Sequence, residues 1–139
     1  DTYFSKENCR KIGYIREDIE NNYLNNKLNT RERAILITSL LYAMDKIANT
    51  VGHYDAFRKK GELDKKLEMC MLDLKSNKNN KNNIIFNEDS NELVKNIKAD
   101  VVYIDPPYNS RQYSDAYHLL EMLLLGKKRG FWCSQKDKP

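Results

Sequence analysis

Asp105, Pro106, Pro107 and Tyr108 stand in direct succession at the end of an apolar run, Val101-Val102-Tyr103-Ile104. Such a run is what a sheet buries. Consecutive prolines can neither extend a strand nor enter a helix interior, so they stop the chain just past the strand's end. Open α/β sheets bind ligands at that edge. A carboxylate, a main-chain carbonyl whose direction a proline fixes, and an aromatic ring are thereby presented at one mouth. That set can hold a planar base by its amino group and its face.

The elements that would position this turn are read from periodicity. Ile84-Ile85-Phe86 predicts a short buried strand, and Asp89 to Ile97 a helix with Leu93, Val94 and Ile97 on one face. Asp100 to Ile104 predicts the strand that ends in the prolines, and a last helix from near Gln112 carries Tyr113, Tyr117, Leu120 and Leu124. Strand, helix, strand, helix is the order of a parallel βαβ unit with a right-handed crossover. Upstream, Ile12, Ile15, Ile19 and Tyr23 repeat at three and four residues, predicting an amphipathic helix from Ser5 to about Lys27. Asn29-Thr30-Arg31-Glu32 has the form of a capping box. The helix behind it carries Ile37, Leu40, Leu41, Met44, Ile47, Ala48 and Val51 on one stripe. It is expected to run to about Asn49 and to resume near Ala56, with Gly52 and Gly61 as breaks. Leu63 to Lys75 fits a short strand or a helical turn equally well, and SNKNNKNN at 76–83 reads as a solvated loop or hairpin tip.

Size and charge permit much and demand little. The chain has 139 residues, enough for one domain, with 24 Lys+Arg against 20 Asp+Glu, net +4. A mildly basic balance allows a nucleic-acid partner without requiring one. Cys9, Cys70 and Cys133 are odd in number and form no CxxC pair, so neither a zinc site nor a disulfide framework is indicated. Free thiols in a reducing cytoplasm are the expectation. No apolar run approaches a membrane span, no signal peptide opens the chain, and the lone His53 does not indicate a metal. With no starting Met and a helical pattern at once, the first residues resemble the middle of a protein.

The run VVYIDPPYNSRQYSDAYHLLE, residues 101–121, resembles the adenine-specific DNA methyltransferases of the Dam/FokI-like class. The stretch RERAILITSLLYAMDKIANTVGHYDAFRKK and the acidic turn FNEDSNEL, residues 86–93, are similar to the same family, so that the resemblance covers about residues 3–121. It implies an α/β fold: part of a Rossmann-like methyltransferase sheet, with a helical amino-terminal half. It also implies S-adenosylmethionine as methyl donor, double-stranded DNA as partner, and a restriction–modification setting with a cognate endonuclease. The expected organisation is a helical region at 1–62 with a DNA-contacting element near 49–60, and a variable loop or hairpin at 63–83. A catalytic βαβ segment at 84–121 and an atypical tail at 122–139 complete it.

The chemistry fits the residues. The lone pair of adenine's exocyclic amine is delocalised into the ring, and two acceptors for its hydrogens localise that pair. Asp105 supplies a carboxylate, Pro106 a carbonyl oxygen, and Pro107 fixes its direction. Positioning and electrostatics suffice, with no nucleophilic side chain. Tyr108 offers a stacking ring to a base flipped out of the duplex. Other positions keep two readings. Asp89 matches the family's acidic position facing the donor's adenine, and equally suits a helix N-cap. Asn109, Arg111, Gln112 and Tyr113 are candidate DNA contacts, and for Gln112 an ordinary solvated helix start is the other reading. Tyr117 and His118 are expected to pack, in the core or on the surface. The NTVGHYDAF stretch with Arg58-Lys59-Lys60 is a DNA-facing loop or a helix end with packed rings.

Two departures from the family pattern stand out. The family's glycine-rich donor loop is missing: none of the five glycines is so arranged, and the donor-binding portion is expected to lie outside this sequence. After Glu121 relatives continue roughly E-N-x-A-x-W-x-K-P, whereas this chain reads EMLLLGKKRGFWCSQKDKP. One adenine inserted before the codon of Met122 restores an Asn, and suitable codons restore the rest, which suggests a one-base frameshift. The rival expectations are an RNA guanine-amine methyltransferase, which uses the same tetrapeptide type, and a catalytically dead, truncated fragment.

Overall fold

The computed structural model describes residues 3–74, 82–106 and 113–126. Its helices are α1 (Lys6–Leu24), α2 (Thr30–Ile47), α3 (Ser90–Asn96) and α4 (Tyr113–Leu125). They belong to two compact units: one formed by residues 1–72 with 110–139, the other by 73–109.

In the first unit α1 and α2 pack on each other. Ser5 caps α1, its hydroxyl accepting from the Asn8 amide at 3.2 Å. The helix stops at Leu24, three residues before the expected Lys27, because Asn26 turns left-handed at φ 57°. The capping box of α2 forms as the sequence implies: Asn29 Oδ1 accepts from the Glu32 amide at 2.9 Å, and the Glu32 carboxylate accepts from the Asn29 amide at 2.8 Å. Ile12 and Ile19 of α1, Ile37, Leu40 and Met44 of α2, and Leu119 and Leu123 of α4 form the core. Ile12, Leu40, Met44 and Leu123 have no exposed surface, so truncating any one to Ala should cost roughly 2–5 kcal/mol.

The expected resumption of α2 near Ala56 does not occur. Ala48 is already extended, Gly52 takes φ 105°, and Thr50 pairs with Phe57 in an isolated antiparallel bridge. The buried Asn49 side chain donates to the Arg58 carbonyl at 3.0 Å, folding the segment back on itself. Residues 61–74 are neither helical nor paired in a ladder. Leu67 and Met69 of this segment rest on the core. Asn8 Nδ2 donates to the Lys65 carbonyl at 2.7 Å, and the Ser39 hydroxyl accepts from the Leu72 amide at 3.3 Å.

The second unit overturns the expected fold class. Residues 84–86 and 101–106 form no regular secondary structure, and among the described residues there is no sheet, hence no parallel βαβ unit and no Rossmann-like layer. Ile85 is 94% exposed and Tyr103 85%, and α3 buries no residue. An apolar run becomes a strand only where neighbouring strands take its hydrogen bonds and a layer covers its faces. A single pair of parallel strands supplies neither. The helical amino-terminal half stands; the sheet does not.

Candidate active site

Asp105 ends the apolar run of the second unit and is exposed. Its carboxylate makes no hydrogen bond or ion pair with another described residue. Pro106, also exposed, follows it. Pro107, Tyr108, Asn109 and Arg111 lie outside the described residues.

Asp89 is the N-cap of α3. Its Oδ1 accepts from the Asn91 amide at 2.8 Å, and its carbonyl from the Glu92 and Leu93 amides at 3.1 and 2.9 Å. The capping alternative is therefore the one seen, and it leaves the second carboxylate oxygen unengaged by the helix.

Tyr113 opens α4 and is 58% exposed, its ring 5.8 Å from that of Tyr117, which is itself 48% exposed. Of the two packings expected for Tyr117, core or surface, the surface one is seen: the two rings form an exposed pair one helical turn apart. In the NTVGHYDAF stretch the packed-ring alternative is realised. Tyr54 is buried, and Tyr3 lies against Tyr54 and Phe57 with centroids at 5.5 and 5.8 Å. The Tyr3 hydroxyl donates to the Tyr54 carbonyl. Burial first, and the nearby Asp55 second, push the Tyr3 hydroxyl pKa above its ordinary value.

Sequence reasoning missed the polar side chains that hold this frame. Arg16 is 7% exposed and sits on α1 between Ile12 and Ile19, on the buried stripe itself. That position, four residues after one core isoleucine and three before another, was the available signal. Glu20, one turn later, accepts from Arg16 at 2.6 Å and from Arg33 at 2.9 and 3.1 Å.

Among the described residues the glycines form no cradle for a ligand. A side chain at Gly13 or Gly52 would meet open space, while Gly61 closes on Asn49 and Gly126 on Arg16. A depression of about 330 Å³ in the first unit is lined by Ala43, Lys46, Ile47, Lys65, Lys66, Glu68 and Cys70, none of them a candidate site residue. No described helix is long and apolar enough to cross a membrane.

Comparison with known proteins decides the family. The D12 class N6 adenine-specific DNA methyltransferases match residues 1–131. The chain belongs to that family. The modification methylase StsI of Streptococcus sanguinis is 46% identical over 119 residues, covering 86% of this chain and 18% of its own length. The type II methyltransferase M.FokI of Planomicrobium okeanokoites is 41% identical over 128 residues, covering 88% and 19%. The type II methyltransferase M.NlaIII of Neisseria lactamica is 36% identical over 152 residues, covering 97% and 44%. The chain thus spans less than half the length of these curated relatives. No solved structure matches it. The D12 match continues past Glu121, the last residue of the expected resemblance, to residue 131.

Proposed function

We propose that the protein to which this D12 segment belongs transfers a methyl group to the N6 amine of adenine in double-stranded DNA, within a restriction–modification system. The observation that carries this reading is the family match running through the whole Asp105–Tyr108 turn. The relatives named as modification and type II methyltransferases point the same way. A cognate endonuclease partner and a cytoplasmic site of action follow as part of the proposal.

Asp105 and the Pro106 carbonyl accept the two amine hydrogens, which draws the nitrogen lone pair out of the ring and turns it toward the incoming carbon. Tyr108 supports the flipped base by its face, worth about 1–3 kcal/mol. Asn109, Arg111 and Tyr113 meet the DNA beside the extruded nucleotide. S-adenosylmethionine is the donor proposed from the family. The described residues do not fit it by themselves: they hold no glycine cradle, and the one residue expected to face the donor, Asp89, spends one carboxylate oxygen on the cap of α3. No step of transfer is therefore derived through the donor from this chain.

The test is methyl transfer by the whole protein from labelled S-adenosylmethionine to duplex DNA and to RNA, with Asp105→Ala alongside. Transfer to adenine in DNA that the substitution reduces at least about 1,000-fold is expected, since an acceptor acting in the transition state is worth roughly that much. Transfer to guanine in RNA, or an active Asp105→Ala protein, would overturn the reading. A second reading concerns the 139-residue chain alone. The uncradled donor and the uncovered apolar runs favour a fragment without activity of its own, and calorimetry with S-adenosylmethionine should then register no binding.

A further inference from the structure

The last turn of α4 carries no basic residue, although the exposed carbonyls at a helix C-terminus favour a cation. The missing charge comes from α1. Arg16 Nε donates to the Leu123 carbonyl at 2.7 Å and Nη2 to the Leu124 carbonyl at 3.2 Å, while Nη1 donates to Glu20 at 2.6 Å. Glu20 also receives Arg33 of α2, whose guanidinium lies 5.2 Å above the Tyr23 ring. The helix closes with Gly126 at φ 61°, its amide donating to the Leu123 carbonyl at 3.3 Å. A Cβ there would stand 2.7 Å from Arg16 Nη2, so the glycine is needed for its backbone conformation and for the space.

These contacts fix α4 along its axis as well as around it. Leu119 and Leu123 hold its buried face, and an apolar face alone resists sliding weakly. A planar fork bonded to two successive carbonyls does not tolerate a shift. At the other end the Tyr54 amide donates to the Ala116 carbonyl at 3.3 Å. The helix pinned at both ends is the one that begins at Tyr113, a proposed DNA contact. Because the clamp uses main-chain carbonyls, it does not depend on which side chains occupy 123 and 124.

We propose that Arg16 is a positioning residue for methyl transfer: by gripping the last carbonyls of α4 it fixes that helix along its axis, and with it the placement of Tyr113, the proposed DNA contact that opens the helix. The proposal rests on the function argued above.

Arg16→Met and Arg16→Lys in the whole methyltransferase test it, at a temperature where circular dichroism shows each variant folded. Arg16→Met should lower kcat about 10- to 100-fold, the scale of a misplaced reacting group, and leave the KM for S-adenosylmethionine within about twofold. Arg16→Lys, with the charge but not the fork, should fall between Met and wild type. Amide exchange in α4 should quicken in Arg16→Met while α2 keeps its protection. Should Arg16→Met fail to fold, Gly126→Ala crowds the same guanidinium without touching α1 and should lower kcat in the same way. An unchanged kcat in a folded variant, or unchanged exchange in α4, would sink the proposal. Failure of the function reading shows separately, as an unsubstituted protein that transfers no methyl group or an Asp105→Ala protein that still does.

Discussion

The hydroxyl of Tyr54 is buried and, among the described residues, has no hydrogen-bond partner. Burial, then the charge of Asp45, then Tyr3 push its pKa well above the ordinary value, which keeps the hydroxyl protonated at neutral pH. A buried hydroxyl without a partner costs about 1–3 kcal/mol of desolvation. Tyr54→Phe removes the oxygen and keeps the ring, the amide bond to Ala116 and the carbonyl that Tyr3 reaches. It should therefore raise the urea midpoint, by about 1 kcal/mol of stability; a loss of that size would mean that the oxygen has a partner. Glu20 makes the opposite case. Burial alone would raise its carboxyl pKa, but hydrogen bonds from Arg33 and Arg16 outweigh it and hold the group below the usual carboxylate range. A depressed folded-state pKa stabilises above the unfolded value, about 4.3, and that stabilisation is lost as pH falls through the folded value. Wild type should thus exceed Glu20→Gln in stability from neutral pH down to about 5 and converge on it in acid. Thermal melts across that range check the sign. Asp105 was legible because its neighbours are prolines and a tyrosine. Arg16 was not, because an arginine amid isoleucines reads as a surface break until the carbonyls it meets are known.

The helices reward pattern reading to different degrees. α1 and α2 were legible because each carries its own start signal and an apolar stripe that another helix of the same unit covers. The start of α2 is the most local of these devices. Asn29→Ala removes one acceptor of the capping box and should destabilise the chain by about 1 kcal/mol, measurable by urea denaturation; Asn29→Asp or Ser should recover most of it. A change within a few tenths would mean that the box forms without holding the helix. The stretch from Val51 to Lys60 misled because its apolar stripe continues, while Gly52 and the Asn49 side chain reverse the chain. The strands misled for a larger reason. Ile84-Ile85-Phe86 and Val101–Ile104 have the composition of buried strands, but burial is not a property of a segment. It needs neighbours, and the described residues of the second unit hold none for them.

Across the whole molecule burial is unevenly shared. The first unit holds the entire hydrophobic core, whereas residues 82–106 of the second include no buried side chain. A short helix without tertiary cover is marginal in water, and α3 has only 7 residues. The second unit should therefore contribute little to cooperative unfolding of the 139-residue chain. Amide exchange followed by mass spectrometry makes this concrete. Peptides from α1 and α2 should keep their deuterium protection for minutes to hours, opening with the unit's global stability. Peptides spanning 84–86 and 101–104 should exchange within the first seconds, because no described acceptor takes their amides. Their exposed isoleucines, valines and tyrosine are also the surface that would drive self-association, so the experiment belongs at low micromolar concentration. Protection there equal to that of α2 would show that these runs pair with something in the isolated chain, and would refute the unpaired geometry. Protection that appears only in the whole methyltransferase would instead place their covering in the remainder of that protein.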